Sequence, residues 1–85
     1  MSYQVQVGKR VRKSIRRFPR QEQARIVATL RVLANNPRPP GCRPVKAAEP
    51  GTYRLRVGNY RIVYTVFEDE QVITVALVAR RGEGT

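Results

Sequence analysis

The sequence contains no histidine and only one cysteine, Cys42. Histidine is the side chain that most often moves protons near neutral pH. The two scarcities together remove zinc fingers, internal disulfides and His-dependent catalysis from consideration. A single unpaired thiol suits a reducing compartment. Cys42 sits in a proline-rich stretch and reads as an incidental residue, and neither a metal nor another cofactor is expected. No apolar run approaches the roughly 20 residues needed to cross a bilayer. The N-terminal MSYQVQVGKRVRK lacks the apolar centre of a signal peptide. The expectation is a soluble, cytoplasmic protein without membrane contacts. Internal repeats and low-complexity segments are also missing.

Acidic residues are scarce as well. Six Asp and Glu stand against 17 Lys and Arg, a formal net charge of +11 on 85 residues. Such an imbalance favours a polyanionic partner: RNA, DNA or a strongly acidic protein. The lysines are Lys9, Lys13 and Lys46, so most of the charge is carried by arginine. Arginine grips phosphate in a bidentate fork and keeps its proton at working pH. An arginine-biased composition would explain the Arg-to-Lys ratio but not the charge imbalance. Apolar residues make up 41% of the chain. That proportion, at this length, suits one domain over residues 1–85 with a modest core.

The most informative stretch is Gly51–Tyr64, GTYRLRVGNYRIVY. Tyr53, Leu55 and Val57 alternate with Arg54 and Arg56. In a strand, that spacing puts the arginines on one face and the apolar trio on the other. Gly58-Asn59 is a hairpin signal, because both residues tolerate positive φ. A second strand from Arg61 then returns beside the first, bringing three guanidinium groups together. Upstream, Tyr3–Val7 alternates as a half-buried strand. Val11, Ile15 and Phe18 share one helical face over Lys9–Phe18, before Pro19. Ile26, Leu30 and Leu33 form the stripe of a second helix over Arg20–Ala34, flanked by Val27 and Ala34. Prolines at 37, 39, 40, 44 and 50 predict an extended loop with room for a short strand near Val45. Strands are predicted at Tyr53–Val57, Tyr60–Glu68 and Gln71–Arg80. The last is so continuously apolar that burial on much of both faces is expected. The order β-α-α-β-β-β makes an α+β domain, a small mainly antiparallel sheet with an N-terminal helical hairpin packed on one face.

These residues resemble the RelE/ParE superfamily of bacterial type II toxins, most closely its RelE-like branch. The resemblance runs through the whole chain: the opening strand, the basic helical hairpin, NNPRPPG, YRLRVGNYRIVY and the closing VARR. It implies a ribosome-dependent endonuclease that binds the ribosomal A site and lets the mRNA 2′-hydroxyl attack the adjacent phosphate. The active surface would be the open face of the sheet. Two basic family positions before the turn, commonly lysines, match Arg54 and Arg56. The arginine after the turn tyrosine matches Arg61. The one closing the last strand matches Arg81, with Arg80 beside it. A family tyrosine that stacks on a base a few residues further on has no counterpart in Gly82-Glu83-Gly84-Thr85. The resemblance also implies a cognate antitoxin that lays a helix or extended segment over the toxin, with ribosome and mRNA as the other partners.

Cleavage of this kind needs a proton acceptor, charge stabilisation on the transition state and a proton donor. Arginine suits the second need and serves the first poorly. Arg61 and Arg81 are therefore assigned to transition-state charge, and Arg54 and Arg56 to the substrate phosphate. Glu83 is the one carboxylate near them in sequence. Lys9, Arg10, Arg12, Lys13, Arg16, Arg17, Arg20 and Lys46 fit contacts to RNA phosphates, although taken singly each is also what a solvated face looks like. Tyr53, Tyr60 and Tyr64 read as packing residues. Two other functions fit the same residues. One is a ParE-type, non-enzymatic inhibitor of DNA gyrase, and the other is a plain basic nucleic-acid-binding module.

Overall fold

A computed structural model describes residues 2–82. Among these residues the chain runs β1 (Gln4–Val7), α1 (Lys9–Arg16), α2 (Arg20–Asn35), β2 (Arg43–Pro44), β3 (Thr52–Val57), β4 (Tyr60–Phe67) and β5 (Val72–Arg80). The strands form one sheet in the order β1-β5-β4-β3-β2. The β2–β3, β3–β4 and β4–β5 pairs are antiparallel, while β1 joins β5 in parallel. That one parallel pair follows from the helical crossover between β1 and the rest of the sheet. The predicted α+β arrangement is the one observed. The short strand in the proline loop exists, and Pro44 is tolerated there because β2 is an edge strand.

The helices cover one face. Ile26, Leu30 and Leu33 are the buried residues of α2, as the stripe predicts. They close over Leu55 from β3, over Tyr60, Ile62, Tyr64 and Val66 from β4, and over Ile73, Val75 and Val78 from β5. No residue of α1 is fully buried. It lends Val11 and Ile15 to the rim of the core. Phe18 is not on α1, which stops at Arg16. A residue preceding proline is pushed out of the helical region, and Phe18 instead packs on Tyr60 with ring centroids 4.5 Å apart. The joint is tied by Gln23, whose Nε2 donates to the carbonyls of Phe18 (2.8 Å) and Arg16 (3.2 Å). The Arg16 carbonyl is one of the groups a helix end leaves without partners.

Two local features set the register of the open face. The β3–β4 turn has two residues, since Val57 lies opposite Tyr60. Gly58 carries φ +58, and positive φ at the first turn position suits the II′ hairpin that matches strand twist. In β5 the register shifts: Val63 faces Leu77 while Tyr64 faces Val75, leaving Ala76 unpaired as a β-bulge. Alternation from Ile73 and Val75 would have kept Leu77 on the helix side. The bulge turns Val78 inward and Leu77 outward. The expectation that β5 is buried on much of both faces is therefore corrected. Ala76 is exposed and Leu77 keeps 39% of its surface, because no element covers the sheet there.

Candidate nucleic-acid interface

The open face can be laid out row by row from the register. Arg56, Arg61 and Ala79 lie opposite one another across β3, β4 and β5. The next row is Arg43, Arg54, Val63 and Leu77, across β2 to β5. The third is Thr52, Thr65, Thr74 and Gln6. The face is thus basic toward β2 and β3, apolar toward β5 and polar below. Thr52 and Thr65 share a hydroxyl–hydroxyl hydrogen bond of 2.8 Å, which keeps the third row in place.

Gly41, Arg43, Arg54, Arg56 and Arg61 line a cavity of about 420 Å³. Arg54 and Arg56 point to this face because they alternate with the apolar residues of β3. Arg61 does so because the two-residue turn sets it opposite Arg56. Arg43 was not singled out from the sequence. It comes from the proline loop, and only the pairing of β2 with β3 brings it opposite Arg54. Its signal in the sequence was slight: one arginine beside a predicted short strand.

Two cross-strand pairs on this face, Arg56 with Arg61 and Arg43 with Arg54, are therefore like-charged. Such pairs are destabilising. Among the described residues the ion pairs are Arg25 with Glu22 and Arg38 with Glu68, so no carboxylate neutralises the cavity. Arg54 and Arg56 are exposed and Arg61 is half-buried. An anion with several oxygens would turn this repulsion into charge-assisted hydrogen bonds. Four guanidinium groups gathered around one cavity are chemically suited to an anion with several oxygens, such as a phosphodiester. Among the described residues no three His, Cys, Asp or Glu come together as a metal would require.

The other sequence-predicted residues do not join the cavity. The backbone N–H of Arg81 donates to the Asn59 carbonyl at 2.6 Å. That bond extends the β4–β5 ladder by one rung, and alternation places Arg81 on the Arg61 side at the end of the sheet. Arg80 lies opposite Tyr60 on the helix side, bordering a groove with Arg17 and Phe18. Lys9, Arg10, Arg12, Lys13, Arg16, Arg17 and Arg20 are exposed on or beside α1 and at the start of α2, behind the sheet as seen from the cavity. Arg16 and Arg20 meet Arg31 around a groove floored by Ala24, Val27 and Ala28. Lys46 is exposed just after β2 and does not line the cavity. Glu83 lies outside the described residues.

The tyrosines serve the scaffold. Tyr60 and Tyr64 are buried. The Tyr64 hydroxyl donates to the Pro37 carbonyl at 2.7 Å, and burial raises its pKa above the usual phenol range. Tyr53 stacks on Tyr64 at 6.0 Å and accepts a hydrogen bond from Arg38 Nε at 3.0 Å. Arg38 also pairs with Glu68, which accepts from the Tyr3 hydroxyl at 2.6 Å. The Tyr3 and Arg38 hydrogen bonds hold the Glu68 carboxyl below its ordinary pKa. This surface network pins the start of the proline loop to the end of β4, steadying the segment that delivers Arg43.

No helix among the described residues is long and apolar enough to cross a membrane. Residues 5–84 match the family model of the ParE toxin of type II toxin–antitoxin systems, parDE. The RelE1 protein of Methanocaldococcus jannaschii is 28% identical over 83 residues, covering 95% of this chain and 92% of that protein. Among solved structures, the archaeal RelE–RelB complex from Pyrococcus horikoshii OT3 matches with a TM-score of 0.86 and 26% identity, covering 99% of this chain and 100% of the other. The isolated E. coli RelE toxin shares the fold with a TM-score of 0.82 at 20% identity, covering 98% and 88%. With the family model spanning nearly all of the chain and the fold repeated across RelE structures, the protein belongs to the RelE/ParE superfamily of toxins of type II toxin–antitoxin systems and is RelE-like.

Proposed function

We propose that the protein inhibits translation by cleaving mRNA on the ribosome, with the scissile phosphate seated among Arg43, Arg54, Arg56 and Arg61. The observation that carries this reading is the two like-charged cross-strand arginine pairs on an open face that has no carboxylate partner among the described residues. The 2′-oxygen bonds to phosphorus while the bond from phosphorus to the 5′-oxygen breaks, leaving a cyclic phosphate and a 5′-hydroxyl. Negative charge builds on the non-bridging oxygens, and guanidinium groups already in place stabilise it without reorganisation. Arg61, half-buried between Arg56 and Ala79, is the best-held of them. Arg43, Arg54 and Arg56 fix the phosphate, and Arg81 lies within the same face to add charge at its end.

None of these side chains accepts a proton at neutral pH. The 2′-hydroxyl proton therefore leaves to solvent or to a ribosomal group, the departing 5′-oxygen takes up its proton from the same sources, and the enzyme's share is in-line placement plus charge. Dependence on the ribosome follows, since the ribosome supplies the alignment that this small open surface lacks. The exposed basic residues of α1 and the start of α2 supply rRNA phosphate contacts behind the catalytic face. The Pyrococcus horikoshii structure is a complex of RelE with RelB, and an antitoxin is the corresponding partner here.

The test is in vitro translation with mapping of mRNA 5′ ends, comparing wild type with Arg61→Ala and Arg81→Ala. Cuts at defined codon positions, on translated message only and lost in Arg61→Ala, are expected. The ParE family match favours a second reading, inhibition of DNA gyrase. A supercoiling assay in which gyrase is blocked while translation continues would decide for it.

A further inference from the structure

Beside the arginine cavity lies a feature that phosphate binding does not use. Leu77 stands on the open face with 39% of its surface exposed. It is flanked by Val63 in its own row and by Ala79 in the next row on β5. What sets Leu77 apart from the other exposed apolar residues, Val27, Val32 and Phe67, is its place in the row of Arg43 and Arg54. Here it results from a specific device, the bulge at Ala76, without which alternation from Val75 would bury it. Bulges re-aim side chains next to functional sites. The result is a small apolar shelf of Leu77, Val63 and Ala79. It abuts Arg54 through Val63 and Arg61 through Ala79.

We propose that this shelf is the seat of a nucleobase, and that Leu77 positions and helps select the nucleotide whose phosphate the arginines hold. The proposal rests on the RNA-cleaving reading and names the part of the surface that would sense the base. Strands lie about 4.8 Å apart, so Leu77 is two strands, about 10 Å, from Arg54. That span matches the reach from a phosphate to the base of the same or the next nucleotide. A flat apolar surface takes any base face, which is what a site reading single-stranded RNA needs. Below the shelf, the Thr74 and Gln6 side chains lie in the adjacent row on the same face. They can donate to or accept from a base edge, and this is where discrimination between bases would arise. A folded protein partner is the competing occupant. Continuity with the four-arginine cavity favours RNA, because the shelf and the cavity are joined within single cross-strand rows.

The test uses the full chain with two synthetic probes, a short single-stranded RNA and the same length of backbone with abasic sugars opposite the site. Binding is read by fluorescence anisotropy. Leu77 is exposed, so Leu77→Ala and Leu77→Phe should fold, and matching thermal melts will show that they do. Leu77→Ala is expected to weaken binding of the RNA by about fivefold, from the lost apolar contact, and to leave the abasic probe unchanged. Leu77→Phe is expected to tighten the RNA alone, and Thr74→Ala to shift the preference among four homopolymeric probes. Equal losses on both probes, or no loss on either, overturn the proposal. So does a Leu77→Ala variant that loses its antitoxin while binding RNA normally, which would make the shelf a protein-docking surface. The two readings fail separately. Base-dependent binding through Leu77 without cleavage on ribosomes removes the endonuclease and keeps the shelf. Cleavage indifferent to Leu77 does the reverse.

Discussion

Along β4, Tyr60, Ile62, Tyr64 and Val66 turn toward the helices and are buried, while Arg61, Val63 and Thr65 turn the other way and stay half-exposed. β3 behaves alike, with Leu55 buried and Arg54 and Arg56 exposed. The same backbone and the same hydrogen-bond ladder thus carry two surfaces with opposite energetics. On the covered face each side chain gains by leaving water, and close packing makes every methylene count. On the open face the side chains are set against one another by like charge, and the sheet tolerates this because the covered face holds it. The lesson is a division of labour between the two faces of one sheet: the covered face provides stability, and the open face is free to be strained for binding.

That contrast can be broken from either side. The largest effect is expected from Arg61→Ala. If Arg61 stands at the scissile phosphate as proposed, loss of its preorganised charge should lower cleavage on the order of 100-fold to 1,000-fold. Urea denaturation of the same variant should show equal or slightly greater stability, since one like-charged pair is relieved. An Arg61→Ala protein as unstable as a core variant would erase the distinction between the faces. Its neighbour Ile62 should show the mirror image. Ile62→Ala opens a cavity under α2 and should cost about 3 to 4 kcal/mol of unfolding free energy, with cleavage per folded molecule retained when measured well below the melting temperature.

The open face's chemistry sharpens the comparison at the next level. In the proposed site arginines surround the phosphate, and arginine as a residue type is a poor proton acceptor. Single-turnover cleavage should then rise about tenfold per unit of pH from roughly pH 6.5 to 8.5. A plateau near pH 7 would reveal a titrating base, on the ribosome or on the toxin, in place of proton loss to solvent. The smallest effect concerns Glu68. Its carboxyl is held below the ordinary carboxylate range by the hydrogen bonds from Tyr3 and Arg38. A depressed acid contributes stability that is complete above its unfolded pKa and is lost as pH falls through the lowered value. Glu68→Gln should therefore flatten the acid limb of a stability–pH curve slightly and leave the curve near neutrality almost unmoved, because the group is exposed and screened.

Much of this architecture was legible in the chain itself. The alternation of Tyr53, Leu55 and Val57 with Arg54 and Arg56 is a strand period, and Gly58-Asn59 sets a two-residue turn. Together they dictate that Arg54, Arg56 and Arg61 share a face, because a strand has only two faces and the turn admits one register. The stripe of Ile26, Leu30 and Leu33 likewise named the buried side of α2. These are local facts, decided by sterics and by side-chain periods of 2 and 3.6 residues.

Two things were decided only by tertiary structure. Arg43 reaches the cavity because β2 pairs with β3 across the intervening loop, and a pairing between residues eleven positions apart leaves no period in the sequence. The bulge at Ala76 was equally hidden. Within the apolar run of β5, either parity satisfies hydrophobic patterning, so local physics is indifferent to which of Leu77 and Val78 points inward. The register of β4 and the shape of the core beneath it chose Val78. That choice sent Leu77 outward beside the arginines. The sequence by itself determined that this protein would carry a basic sheet. Long-range strand pairing decided how many arginines meet there and what lies next to them.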